Sequence, residues 1–194
     1  MRNKSGEKGF TLVELAIVMV IIGLLVGTVL KGQAMIDDAR IKRVINDING
    51  ISAAYFTYLD RYNAIPGDDS NANARWTNVA DGGGNGLIGG TETTPTGESL
   101  EAWQALRYAG LISGNPAATG ATVLPRHPYG NGIGLGDLAF TGIGTKNRIL
   151  IVSIPAETAE IIDIKFDDGI FNSGTVQSTA AYAADTTVDL SYAL

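Results

Sequence analysis

The sequence predicts an α+β protein in which one long N-terminal α-helix packs on a small, loop-rich antiparallel sheet. Three observations carry this expectation. Residues 10–30 form an unbroken apolar run of 21 residues. Residues 36–62 then place apolar side chains three and four apart, the spacing of an amphipathic helix. Beyond Pro66-Gly67 the apolar stretches become short and alternate with glycine-rich turns, the pattern of strands and loops.

Composition narrows the class. A chain of 194 residues holds one membrane segment and one modest domain. It is 45% hydrophobic and only 18% charged, which excludes a disordered acidic chain. It has no cysteine, so disulfides, thiolate metal sites, a cysteine nucleophile and a lipid-modified cysteine are all excluded. Its 25 glycines point to many turns. The net charge is −6, yet the leader is basic, with Arg2, Lys4 and Lys8 against Glu7. The remainder is therefore strongly acidic and lacks the basic footprint that nucleic-acid binding requires.

The elements follow in order. Residues 1–9 are a basic leader. Residues 10–30, FTLVELAIVMVIIGLLVGTVL, match the ~20 residues that span a bilayer. A secretory signal peptide has an apolar core of only ~7–15 residues and a small-residue cleavage site, and no such site follows Leu30. A plain single-pass anchor meets the same length test. Orientation does not follow from charge: Lys31, Arg40, Lys42 and Arg43 beyond the run balance the basic leader. Within the run, Gly23 and Gly27 have the G-x-x-x-G spacing of closely packed membrane helices.

Glu14 is the anomaly of this segment. An ionised side chain at the bilayer centre costs about 2.5–3.5 kcal/mol on insertion scales, so it is a functional candidate that needs a partner. An unpaired Glu14 would have to reach the interface from about 6 Å along the helix.

Residues 31–62 continue as an amphipathic stem. Ile36, Ile41, Val44, Ile45, Ile48, Ile51, Tyr55, Tyr58, Leu59 and Tyr62 are its apolar positions, and the tyrosines are expected in the core. No stop separates the two segments, so one helix of roughly 80 Å is expected, ending before Pro66-Gly67. Residues 63–194 form the globular part. It opens with a loop region over 66–98. A helix is expected over 99–109, with Ser99 as N-cap and Gly110 as stop. Strands are expected over 121–124, 135–141 and 148–154. Pro155 starts a short helix running through Ile162-Asp163-Ile164, and 186–192 close the sheet.

One loop has metal-ligand spacing. Asp81, Asn85 and Glu92 occupy positions one, five and twelve of a calcium-loop pattern, with Gly86 at the sharp turn. Gly83 breaks the pattern where an Asp or Asn ligand belongs. Calcium on Asp81, Asn85 and Glu92 is therefore an expectation, against the plainer reading of an Asx-Gly turn. Enzyme chemistry is not indicated. His127 is the lone histidine and reads as a surface or turn residue, so no histidine-based triad can form. Asp68-Asp69 and Asp167-Asp168 read as solvated turns. Gly82–Gly86 lack the lysine of a phosphate-binding loop.

The N-terminus carries a resemblance. A basic leader, Gly9-Phe10, then Thr11-Leu12-Val13-Glu14-Leu15 and a continuous apolar run resemble the class III signal of type IV pilins and type II secretion pseudopilins. The resemblance implies cleavage between Gly9 and Phe10 by a prepilin peptidase on the cytoplasmic side, and N-methylation of Phe10. It implies a protein rooted in the bacterial inner membrane with its C-terminal domain in the periplasm. From there it would join copies of itself or other pilins, extruded by an assembly platform and its ATPase. Cleavage would leave a Phe10 amine four residues from Glu14 on the same helix face; Glu14 would pair with it within one chain or, as the resemblance favours, with the Phe10 amine of a neighbouring subunit. Many pilins have a proline in this half of the helix; here any unwinding would fall on Gly23, Gly27 or Gly32.

Tyr62-Asn-Ala-Ile-Pro-Gly-Asp68, the Trp103-to-Gly110 helix and Ile162-Asp-Ile-Lys-Phe-Asp-Asp-Gly169 are similar to a pilin-like subfamily with PGD and IDxKxDDG segments. The family also includes members that order loops with calcium. Lacking cysteine, the chain cannot form the C-terminal disulfide loop common in major pilins, which points to a pseudopilin or minor subunit. The competing reading is a membrane-anchored binding or hydrolytic domain that uses residues 10–30 only as a tether.

Overall fold

The computed structural model describes residues 9–90, 92–140 and 144–194. Helix α1 runs from Leu12 to Tyr62, two residues later than the apolar run begins. Its end is set locally. Asn63 adopts a left-handed conformation, φ 51°, and its N–H returns to Leu59 O at 2.8 Å. Asparagine tolerates that geometry and satisfies an orphan carbonyl of the last turn. The chain divides into two units, 1–39 and 40–194. In the first, the described side chains are exposed apart from a half-buried Gly32.

In the second unit, α1 contributes Val44, Ile45, Ile48, Ile51, Ala54, Tyr55 and Tyr58 to the core. The expected stem face is buried from Val44 to Tyr58, whereas Ile36 before it and Leu59 after it stay exposed. Four antiparallel strands face it: β1 (Ile133–Phe140), β2 (Gly144–Pro155), β3 (Val176–Ser178) and β4 (Thr187–Ala193), in the order β1-β2-β4-β3. Ile133, Leu135, Ile149, Ile151, Ile154, Val176 and Leu190 are buried in the same cluster as the stem residues. Burying each large aliphatic side chain contributes about 1.5–3 kcal/mol. The long helix packed on this small sheet is the expected α+β arrangement.

Three further helices complete the unit: α2 (Ala72–Arg75), α3 (Glu98–Tyr108) and α4 (Ala156–Phe166). The predicted 99–109 helix is α3, but Ser99 is not its cap. Gly97 takes that place, and Ser99 Oγ donates to Leu135 O of β1 at 2.6 Å. Gly110, at φ 70°, ends α3 as expected. The predicted strand at 121–124 is instead a 3₁₀ turn, Gly120–Val123. Only Val123 of that turn is buried, and among the described residues no strand pairs with it. Strand β3 escaped sequence reading because three residues are too few to show a period.

Buried polar groups fasten the irregular segments. Asn147 on β2 is the main one. Its Oδ1 accepts from Ile88 N at 2.8 Å, and its Nδ2 donates to Gly86 O at 2.9 Å and to Tyr55 Oη at 3.2 Å. One amide thereby ties sheet, loop and α1 together. Asp69 Oδ2 accepts from Tyr58 Oη at 2.8 Å and pairs with Arg75. Burial pushes the Tyr58 hydroxyl up to about 12, against the opposing pull of Arg75. Asp68 and Asp69 are therefore buried organisers, not the solvated turn that their sequence suggests.

Candidate functional site

The predicted processing and assembly residues lie at the start of α1. Gly9 and Phe10 precede the helix, and Phe10 is 83% exposed. The Gly9–Phe10 bond thus lies outside the helix. Thr11 and Glu14 form a reciprocal cap. Glu14 Oε2 accepts from Thr11 N at 2.8 Å and from Thr11 Oγ1 at 2.9 Å, while Glu14 N donates to Thr11 Oγ1 at 3.2 Å. This is the capping box, in which a Thr and a Glu three residues later satisfy each other's backbone N–H. Among the described residues the bonds to Glu14 all fall on Oε2. Oε1 remains open on the surface of the helix.

The apolar run that follows is exposed among the described residues. Leu12, Leu15, Ile17, Ile21, Leu24 and Leu30 are all about half exposed or more. An 18-residue window of α1 reaches a mean hydropathy of 2.7 with none of it buried, so this helix is long and apolar enough to cross a membrane. Around Gly23 and Gly27 nothing stands within 4 Å of where a Cβ would lie, so their faces are open to close approach.

The calcium candidates behave differently. Asp81 Oδ1 accepts from Asn73 N at 2.8 Å, and Asn85 Oδ1 from Leu87 N at 2.8 Å. Glu92 sits elsewhere, against Gly134 and Gly136 of β1. Burial pushes its carboxyl up, its own backbone N–H opposes the rise and Asp137 adds to it. The loop is instead organised by two acids outside the motif. Asp68 accepts from Asn85 N at 3.0 Å and Gly86 N at 2.6 Å; Glu98 accepts from Gly83 N at 2.6 Å and Gly89 N at 2.7 Å. These four backbone donors are held by Asp68 and Glu98, not by the motif's own acids. Asp81, Asn85 and Glu92 are not brought together as one ligand set.

Comparison with known proteins bears on the N-terminus. Residues 4–30 match the family model described as the prokaryotic N-terminal methylation motif. The chain carries a type IV pilin-like class III signal. No curated protein and no solved structure matches the chain. The motif supports a pilin- or pseudopilin-type precursor, and the apolar helix accords with membrane anchoring.

One feature of the N-terminus lay within reach of the sequence. Thr11-x-x-Glu14 is the capping-box pattern itself, and it identifies Thr11 as the partner of Glu14 before any neighbour is present. His127 carries no such signal. It is buried, with Nε2 at 2.8 Å from Val152 O and Nδ1 accepting from Tyr129 N at 3.3 Å. It is a core residue of a turn, not a surface one. Burial pulls its pKa down, against the opposing effects of Val152 O and Asp47.

Proposed function

We propose that this chain is a filament subunit of a type IV pilus or type II secretion pseudopilus, clipped after Gly9 and assembled through its N-terminal helix. The methylation motif at residues 4–30 is the observation that carries this reading. The exposed apolar run supports it, because the same surface that suits lipid also suits the apolar core of a helical filament. The capping box adds a physical detail. Thr11 holds Glu14 by Oε2 and leaves Oε1 directed outward, prepared for the Phe10 amine of a neighbouring copy. Pairing offsets the cost of a charge left alone in apolar surroundings. The role is structural, with a prepilin peptidase and an assembly motor as separate partners. The lack of cysteine favours a pseudopilin or minor subunit over a major pilin.

Mass spectrometry of the mature N-terminus tests the processing step. A methylated Phe10 is expected; an intact Met1 or a cut after Leu30 would exclude the filament reading. Glu14→Ala should leave membrane insertion intact and abolish incorporation into filaments pelleted from sheared cells.

A further inference from the structure

The C-terminal end of α4 gathers three acids. Asp163, Asp167 and Asp168 each place a carboxylate oxygen so that all lie within 4.8 Å of one another. Their position makes this costly. The last turn of a helix carries the negative end of its dipole, where carboxylates are destabilised and cations favoured. Lys165 shares the turn, yet among the described residues no ion pair joins it to the cluster.

The hydrogen bonds account for only part of the cluster's oxygens. Asp167 Oδ2 accepts from Thr175 N and Val176 N, at the start of β3. Asp168 accepts from Ile170 N at 2.9 Å and Ser173 Oγ at 2.6 Å. Asp163 Oδ2 accepts from Tyr182 Oη at 2.7 Å. Asp163 Oδ1 is different. The residue is wholly buried, and Oδ1 takes no hydrogen bond. The Gly169 N–H acts on this carboxyl without closing a bond to Oδ1. A buried carboxylate oxygen without a donor is costly, and two further carboxylates beside it deepen the cost.

We propose that Asp163, Asp167 and Asp168 bind a divalent cation, and that the ion is calcium. The donors are all carboxylate oxygens, with no imidazole or thiolate, which selects a hard cation. They come from a helix end and the turn after it, and calcium accepts such irregular oxygen cages more readily than magnesium, which demands near-ideal octahedral geometry. The ion supplies the positive charge that the end of α4 lacks and gives Asp163 Oδ1 its partner. It also ties α4 to the entry of β3, because Asp167 holds both.

Titration calorimetry and thermal melting of the full chain in detergent micelles, with calcium chloride against magnesium chloride after chelation, test this site. Binding with one calcium per chain is expected, together with a rise in melting temperature that magnesium does not reproduce. Asp168→Asn keeps an acceptor for Ile170 N and so should fold, yet it should weaken calcium binding at least tenfold. Asp163→Asn should remove the calcium-dependent rise. A chain that shows no calcium heat up to about 1 mM, the weak end of extracellular calcium modules, overturns the proposal. So does a calcium response that survives Asp168→Asn unchanged, or one that is lost in Asp81→Asn and kept in Asp168→Asn.

Discussion

Asn147 shows how much one side chain can hold. Its amide is buried and makes three hydrogen bonds, to Ile88 N, Gly86 O and Tyr55 Oη. Asn147→Ala strands all three partners, and each buried unsatisfied group costs about 1–3 kcal/mol. A loss of roughly 3 kcal/mol is expected, which for a chain of this size lowers the melting temperature by about 6–12 °C. Asn147→Asp keeps the bond to Ile88 N but loses both donors, so it should be destabilised less than alanine but remain well below wild type. Calorimetric melting of the three proteins checks the order. An unchanged melting temperature for alanine would mean that the amide does not fasten the loop.

His127 makes a second prediction at this scale. Burial lowers its pKa below the ordinary value of 6.5. As the pH falls below about 6.5, the unfolded chain takes up the proton while the folded chain does not, so acid favours unfolding. Its contribution to stability is complete above that pH and declines as the pH falls toward the lowered folded value. The slope is at most about 1.4 kcal/mol per pH unit. His127→Gln removes the titration while keeping a donor for Val152 O. Denaturant unfolding at pH 7.5 and pH 5.5 should show a smaller acid loss in His127→Gln than in wild type. Equal losses would assign the acid sensitivity to other groups.

At the scale of elements, the long helix and its buried face were legible because their period repeats over many turns. Ile48, Ile51, Tyr55 and Tyr58 recur at helical spacing, and they are the residues that the core takes. Strand β2 was legible because Arg148–Ile154 is a dense aliphatic run. The loop over 82–89 was not. Its calcium-like spacing is local, but the groups that shape it are Asp68 and Glu98, which lie outside the motif and reach it only in the folded chain. Short-range patterns cannot report such contacts. The same holds for Asp163, whose buried place follows from Tyr182 nineteen positions later.

The loop offers a test that separates its two organisers. Asp68→Ala removes the acceptor for Asn85 N and Gly86 N, whereas Glu98→Ala removes that for Gly83 N and Gly89 N. Hydrogen exchange should therefore accelerate at residues 85 and 86 in the first variant and at 83 and 89 in the second. Each pair should stay protected in the other variant. Uniform loss of protection across 82–89 in both would show that the loop unfolds as one unit, against this division of labour.

The whole molecule splits its apolar residues between two uses. Those beyond Arg40 supply the core, and the first buried residue of α1 is Val44. Those of residues 10–30 stay exposed and serve whatever surrounds them, lipid or other helices. The two uses predict independent energetics. Removing residues 1–39 deletes no buried side chain among the described residues, so the core and the polar staples at Asn147, Asp68 and Asp69 should persist. The fragment beginning at Arg40 should be soluble without detergent, because it sheds the apolar run that water cannot accommodate. Its melting temperature should lie within about 4 °C of the full chain in micelles, equivalent to roughly 1 kcal/mol or less. A much larger fall would show that residues 1–39 stabilise the domain itself. Agreement would mean that folding of the domain has no need of the apolar segment.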